Sequence, residues 1–244
     1  MARHPAHLWP FPVEALAGKR LRPERPYRLL PPVYSLLGIA LLLAFALAGC
    51  GSTGGGSQVS GPKTGGTLNV GLDSDVVTLD PLKSTALVDR EVMFNMYDTL
   101  VTVDAQNKVQ PGLASSWSYP SPTQIDFTLR SGIQFQDGTP FNAAAVVTNI
   151  NRILNTASSP RHSELSTVAS VKAVDDLHVQ FNLTKAFSPL LANLTDRAGM
   201  MLSPAVIQAQ GDKIANNPAK AGTGPFEFVS WVKGDHLTLQ RNPH

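Results

Sequence analysis

Between residues 65 and 243 the chain carries apolar residues in two alternating periods, and these lay out its elements. Leu68, Val70 and Leu72 alternate with polar or small neighbours, which predicts a strand, followed by a turn-rich loop at residues 73–81 (DSDVVTLDP). Val88, Val92, Met93, Met96, Tyr97 and Leu100 then fall on one face of a helix, with Ser84 or Thr85 as its cap and Asp89, Arg90 and Glu91 outward. Val101 and Val103 predict a short strand, a turn through Gln106–Lys108, and a further segment ending at Trp117. Ile125, Phe127 and Leu129 alternate with Asp126, Thr128 and Arg130, as a sheet with one wet face requires. Ile133 and Phe135 repeat the pattern before a turn at Asp137–Gly138. Asn142 caps a predicted helix with apolar positions Val146, Val147, Ile150, Ile153 and Leu154, and residues 156–164 read as a loop. Leu177, Val179, Phe181 and Leu183 predict another half-buried strand. Ser188-Pro189 and Ser203-Pro204 each read as an N-cap followed by proline at the first helical position. Phe226 and Phe228, with Leu237 and Leu239, flank a hairpin turn at Lys233–Asp235. Strands and helices are mixed and no repeat period occurs, so the class is α/β or α+β.

The first 64 residues follow neither period. A basic stretch precedes a continuous apolar run from Val33 to Gly49, and Cys50 comes directly after it, in the order of a secretory signal. Residues 47–50 (LAGC) resemble the lipobox of bacterial lipoproteins, in which the signal is cut between Gly49 and Cys50 and the cysteine sulfur takes a diacylglycerol. The alternative is an uncleaved membrane anchor with an incidental cysteine, although a run of this length sits at the short end of the ~17–25 residues a spanning helix needs. Residues 51–62 (GSTGGGSQVSGP) read as a flexible tether. The stretch before the apolar run is long for a signal, which predicts a translation start downstream, at Val13 or Leu29. The expected organisation is therefore signal peptide at 1–49, lipidated cysteine and tether at 50–64, and a folded part at 65–244.

Charge and cysteine content narrow the function. The 244 residues carry 20 Lys and Arg against 18 Asp and Glu, a net +2, with a single Cys. Six of those basic residues and only two acids lie in residues 1–49, so residues 50–244 are net −2. A nucleic-acid binder needs a basic stripe on its folded part, and none is expected here. One cysteine excludes a disulfide framework and any multi-cysteine metal site. His162, His178, His236 and His244 show no metal-ligand spacing, there is no Gly-x-Ser-x-Gly elbow, and Asp175-Asp176 sit in a predicted turn. No catalytic residue, metal or cofactor is expected.

Four stretches carry a resemblance. They are GGTL at 65–68 with TLDP at 78–81; MYDTLV at 96–101 with PGLASSW at 111–117; FTLRSGIQFQDGTPF at 127–141; and GTGPF at 222–226 with Trp231, Gly234-Asp235 and LQRNP at 239–243. In this order and spacing the chain resembles extracellular solute-binding proteins of family 5, the dipeptide, oligopeptide and nickel receptors of ABC importers. It departs from the family pattern in placing Ala143–Ala145 where acidic residues usually open a helix, which forgoes roughly 0.3–1 kcal/mol of helix-dipole interaction. Members of the family are also about double this length, so the resemblance implies the N-terminal part of lobe I of a bilobal, periplasmic-binding-protein-like α/β fold of the large peptide-binding class.

The resemblance implies a clamp that closes over a peptide or related small solute and docks on ABC permease subunits, as a monomer held by lipid to the outer face of the cell membrane or in a periplasm. A nickel chelate or oligosaccharide is the alternative ligand, and a surface lipoprotein that senses or adheres without transport is the alternative role. Ligand contacts from lobe I are expected in the loop after the first strand, at Asp73, Ser74, Asp75, Val76 and Val77, with Asn95 and Tyr97 on the first helix as further candidates. Asp73 and Asp75 could equally shape the turn, and Tyr97 could equally be core. Gly222–Pro225 is expected to serve backbone geometry near a crossing between lobes.

Overall fold

A computed structural model describes residues 65–243, and the expected cleavage site at Gly49–Cys50, the lipidated cysteine and the tether lie outside the described residues. From Leu68 onward the chain forms one unit with two hydrophobic clusters.

The larger cluster is built on a four-stranded antiparallel sheet. Its strands are β3 (Ala114–Ser121), β4 (Gln124–Leu129), β5 (Val168–Ala173) and β6 (His178–Leu183), in the order β3-β4-β6-β5. In β4 the alternation is clean: Ile125, Phe127 and Leu129 are buried and their neighbours half-buried. Register sets Ile125 opposite Phe181 and Phe127 opposite Val179, so the Phe127 and Phe181 rings meet edge to face at 5.1 Å. Burying each such ring contributes roughly 1.5–3 kcal/mol. The helix at Ala143–Leu154 packs Val146, Ile150 and Ile153 into the same cluster. It follows a shorter helix, so we number it α2 and the earlier one, Leu87–Met93, α1.

The start of α2 is fixed as its sequence predicts. Asn142 is extended, and its Oδ1 accepts the Ala145 amide at 3.0 Å. Asn142→Ala leaves that amide without its acceptor, and a loss of about 1 kcal/mol in chemical denaturation is expected. An unchanged midpoint would show that the cap is dispensable.

The smaller cluster gathers α1, the helix α5 (Pro204–Gln210), a 3₁₀ turn at Gly211–Ala215, and the hairpin of β7 (Phe226–Val232) and β8 (His236–Arg241). Val88, Val92, Met93, Met96 and Tyr97 form its centre, and Phe228, Trp231, Leu237 and Leu239 pack from the hairpin. Ser203 caps α5 ahead of Pro204, as expected, and Gly234 takes a positive φ of 76° in the hairpin turn. A further two-stranded ribbon, β1 (Val101–Val103) with β2 (Val109–Pro111), lies between the clusters in sequence and turns at Asn107, whose φ is 59°.

Several expectations are corrected. Leu68, Val70 and Leu72 alternate but form no strand, and they are 86%, 69% and 42% exposed. A strand needs a ladder partner, and among the described residues none pairs there. Residues 156–164 are not all loop: α3 (Pro160–Glu164) forms behind a Ser159 cap that accepts the Arg161 amide. β5 leaves no periodic signal, because a register shift between Val168 and Ser170 breaks its alternation. Ile133 and Phe135 lie in no strand; only an isolated bridge joins Gln134 to Pro140. The Ser188-Pro189 signal leads to a single helical turn, α4 (Leu190–Asn193), with Pro189 itself at the cap and no side-chain bond. Ser84 and Thr85 do not cap α1, since Ala86 occupies that position.

Polar side chains tie the clusters together. Arg152 of α2 grips Asp80 with both terminal nitrogens, at 2.9 and 2.6 Å. Asn149 exchanges two bonds with the Leu202 backbone, at 2.7 and 3.0 Å. Gln136 donates to the carbonyls of Gly224 and Phe226, at 3.1 and 2.8 Å. The Arg152–Asp80 pair holds the end of the loop at 73–81 against α2.

Candidate functional site

The loop at residues 73–80 is anchored at its far end and open at its near end. Val76 is buried in the smaller cluster, whereas Asp73, Ser74, Asp75 and Val77 are exposed. Asp73 accepts the Ser74 hydroxyl at 3.3 Å, and Asp75 Oδ2 accepts the Gly234 amide at 2.8 Å, which ties the loop to the β7–β8 turn. Among the described residues, no backbone group from Leu68 to Val76 is hydrogen-bonded within the protein. Exposed backbone with free amides and carbonyls can hydrogen-bond a peptide-like ligand.

The loop then turns inward. The amides of Val77 and Thr78 donate to Asp89 Oδ1 at 2.7 and 3.3 Å, and Leu79 donates to the Ala215 carbonyl at 2.9 Å. Asp89 is wholly buried, which corrects its expected place on the outward face of α1. Helical spacing gives a residue's angle on the helix but not what lies against the first turn, and here that is the loop. A first-turn aspartate after a turn-rich segment is the only signal the sequence offers. The Ser84 bond to Asp89, Arg197 and the Asp80–Arg152 pair leave no such signal.

The other two candidates spend their polar atoms internally. Asn95 is exposed, but its Nδ2 donates to the Glu91 carbonyl at 2.8 Å, finishing α1. Tyr97 is buried, and its hydroxyl donates to the Leu79 carbonyl at 3.0 Å. Burial holds the Tyr97 hydroxyl well above the usual phenol range; the Asp80 charge adds to that, and Arg152 opposes it. The structure thus brings the loop residues together and places Tyr97 beneath them as support.

A cluster of ionic groups lies near the start of α1, where Arg197 donates to the Ala86 carbonyl at 3.1 Å. Arg161 pairs with Glu164 at 2.8 Å, Arg90 with Asp196 at 3.1 Å, and Arg197 lies 3.6 Å from the same Asp196. Burial lowers the Arg161 guanidinium and raises the Glu164 carboxyl from their ordinary values, so desolvation outweighs pairing at both ends. Among the described residues there is no group of three or more His, Cys, Asp or Glu placed to hold a metal ion. His178 instead sits on its turn neighbour Asp175, with Nδ1 within 2.8 Å of the carboxylate. None of the described helices is long and apolar enough to cross a membrane.

The profile described as bacterial extracellular solute-binding proteins, family 5 Middle, matches residues 108–244. The chain belongs to this family. Among family 5 relatives, the glutathione-binding protein GsiB of Escherichia coli (strain K12) is 34% identical over 175 residues, which cover 70% of this chain and 34% of GsiB. Of solved structures, Burkholderia pseudomallei OppA matches with a TM-score of 0.65 at 18% identity, over 70% of this chain and 37% of OppA. NikZ from Campylobacter jejuni, in complex with Ni(L-His), matches with a TM-score of 0.60 at 25% identity, over 68% of this chain and 34% of NikZ. The fold is that of the oligopeptide-binding type of periplasmic binding proteins, as the motifs implied. The match covers about a third of the length of these curated relatives.

Proposed function

We propose that this chain is the N-terminal part of the substrate-binding lipoprotein of an ABC importer. It captures a peptide or related small solute outside the membrane and delivers it to the permease. The observation that carries this reading is the unpaired, exposed backbone of residues 68–75 in a family 5 protein, ahead of the point where Asp89 takes over the amides. Relatives named for glutathione and for a nickel–histidine complex delimit the ligand class. Asp73, Ser74, Asp75 and Val77 form the first lobe's contact surface, with Val76 anchoring it in the smaller cluster, Tyr97 supporting it from below and Asn95 at its margin. The second wall of the clamp belongs to a longer chain, and closure over the solute is a shift towards the state that holds it better.

Residues 1–49 serve as signal peptide, Cys50 carries the lipid and residues 51–64 are the tether, which places the receptor on the outer face of the membrane. Two or more acyl chains give stable anchoring where one is marginal. Cys50→Ser is expected to abolish labelling by a radioactive or clickable fatty acid and to release the protein from membranes. Labelling that persists in this variant would sink the anchor.

The transport reading is tested by deleting the gene and measuring uptake of labelled glutathione, dipeptides and nickel–histidine. Loss of uptake of at least one is expected, restored by the wild-type gene. Uptake of all three at the parental rate would refute import.

A further inference from the structure

We infer that Asp89 is the positioning residue of the solute-contact loop and sets the limit of its free backbone, an inference that rests on the binding role proposed above. Its carboxylate is wholly buried and accepts three bonds: from Val77 N at 2.7 Å, from Thr78 N at 3.3 Å and from Ser84 Oγ at 3.0 Å. A buried carboxylate is costly unless hydrogen-bonded, and bonds to an ionised acceptor are the stronger kind. The compensating cation stands one hydroxyl away. Arg197 Nη1 donates to Ser84 Oγ at 3.2 Å and to the Ala86 carbonyl at 3.1 Å. Loop, α1 and the 3₁₀ turn at Arg197–Gly199 thus converge on one carboxylate.

The consequence is a register. Before Val77 the backbone groups are free; at Val77 and Thr78 the amides are withdrawn from any ligand. A solute can therefore hydrogen-bond the loop's amides only ahead of Val77. Asp89 also keeps the residues ahead of Val77 from folding back, because the two bonds fix the direction in which the chain leaves the core. It touches no ligand itself.

Amide hydrogen exchange on the full chain tests this. In Asp89→Leu, exchange at Val77 and Thr78 is expected to quicken about 100-fold relative to the amides of Phe127 and Phe181 in the sheet. In Asp89→Asn, which keeps an acceptor oxygen, it is expected to return to within about tenfold of wild type. Equal acceleration at all four amides, or none at Val77, overturns the inference. Should Asp89→Leu not fold, the wild-type chain still decides: a scalar coupling across the hydrogen bond from the Val77 amide to the Asp89 carboxyl carbon is expected, and its absence overturns the assignment. If uptake experiments exclude import while Val77 exchange depends on Asp89, the transport reading fails and the positioning of the loop stands.

Discussion

Replacing Arg152 with leucine is expected to destabilise the protein by about 3–5 kcal/mol, the range for removing one partner of a buried ion pair. Asp80 is wholly buried, and Arg152 supplies both of its charge-assisted bonds, in the two-pronged geometry that a planar guanidinium permits. Its remaining bond is the Leu82 amide at 3.1 Å, which is too little to compensate an isolated carboxylate. The pair also joins α2, rooted in the larger cluster, to the segment that carries the solute-contact loop. The converse change sharpens the test. Asp80→Leu combined with Arg152→Leu is expected to cost much less than the sum of the single changes, because neither charge is left buried alone. Urea unfolding of the four chains measures the cycle. A single-variant loss below about 1 kcal/mol would mean that the pair behaves like a surface contact.

How much of this was legible depends on what produces each signal. The elements that bury one regular face were legible: β4, β6, the β7–β8 hairpin and α2 follow from alternation or helical spacing, since burial imposes the period. Leu68, Val70 and Leu72 show the limit of that inference. Their alternation is as regular as that of β4, yet a strand is made by its neighbour, and among the described residues they have none. β5 fails in the opposite sense, since its bulge puts Val168 and Val171 on the same side, out of step with a period of two. The loop at 73–77 was picked out because it follows the expected first strand, and that strand does not form, so only the position of the loop was legible. The side chains that hold it were not, because the Ser84–Asp89 contact follows no helical or strand period and Arg197 joins it from 113 residues away.

Gly222→Ala is expected to have the other large effect, at the close approach of residues 222–224 to the Met96 carbonyl. A Cβ at Gly222 would lie 1.8 Å from the Met96 carbonyl oxygen and 2.9 Å from the Tyr97 ring. The nearest atom is backbone, at the end of α1, so no rotamer change relieves the clash. Gly224 approaches the same carbonyl, and its own amide donates to it at 2.9 Å, which fixes how closely the two segments must lie. Separating them would also pull on the Gln136 amide, which bonds the Gly222 carbonyl at 2.8 Å, and on Tyr97 beneath the solute-contact loop. Overpacking with no room to relax costs roughly 3 kcal/mol or more. The expected result is a large fall in thermal midpoint, with the Tyr97 hydroxyl losing its bond to Leu79. Gly211→Ala is the contrasting substitution: no atom lies within 4 Å of its would-be Cβ, and its cost comes only from a φ of 52°. The ranking decides the cause. If Gly222→Ala destabilises no more than Gly211→Ala, the close approach at 222 costs no more than a torsion alone, and the steric account is wrong.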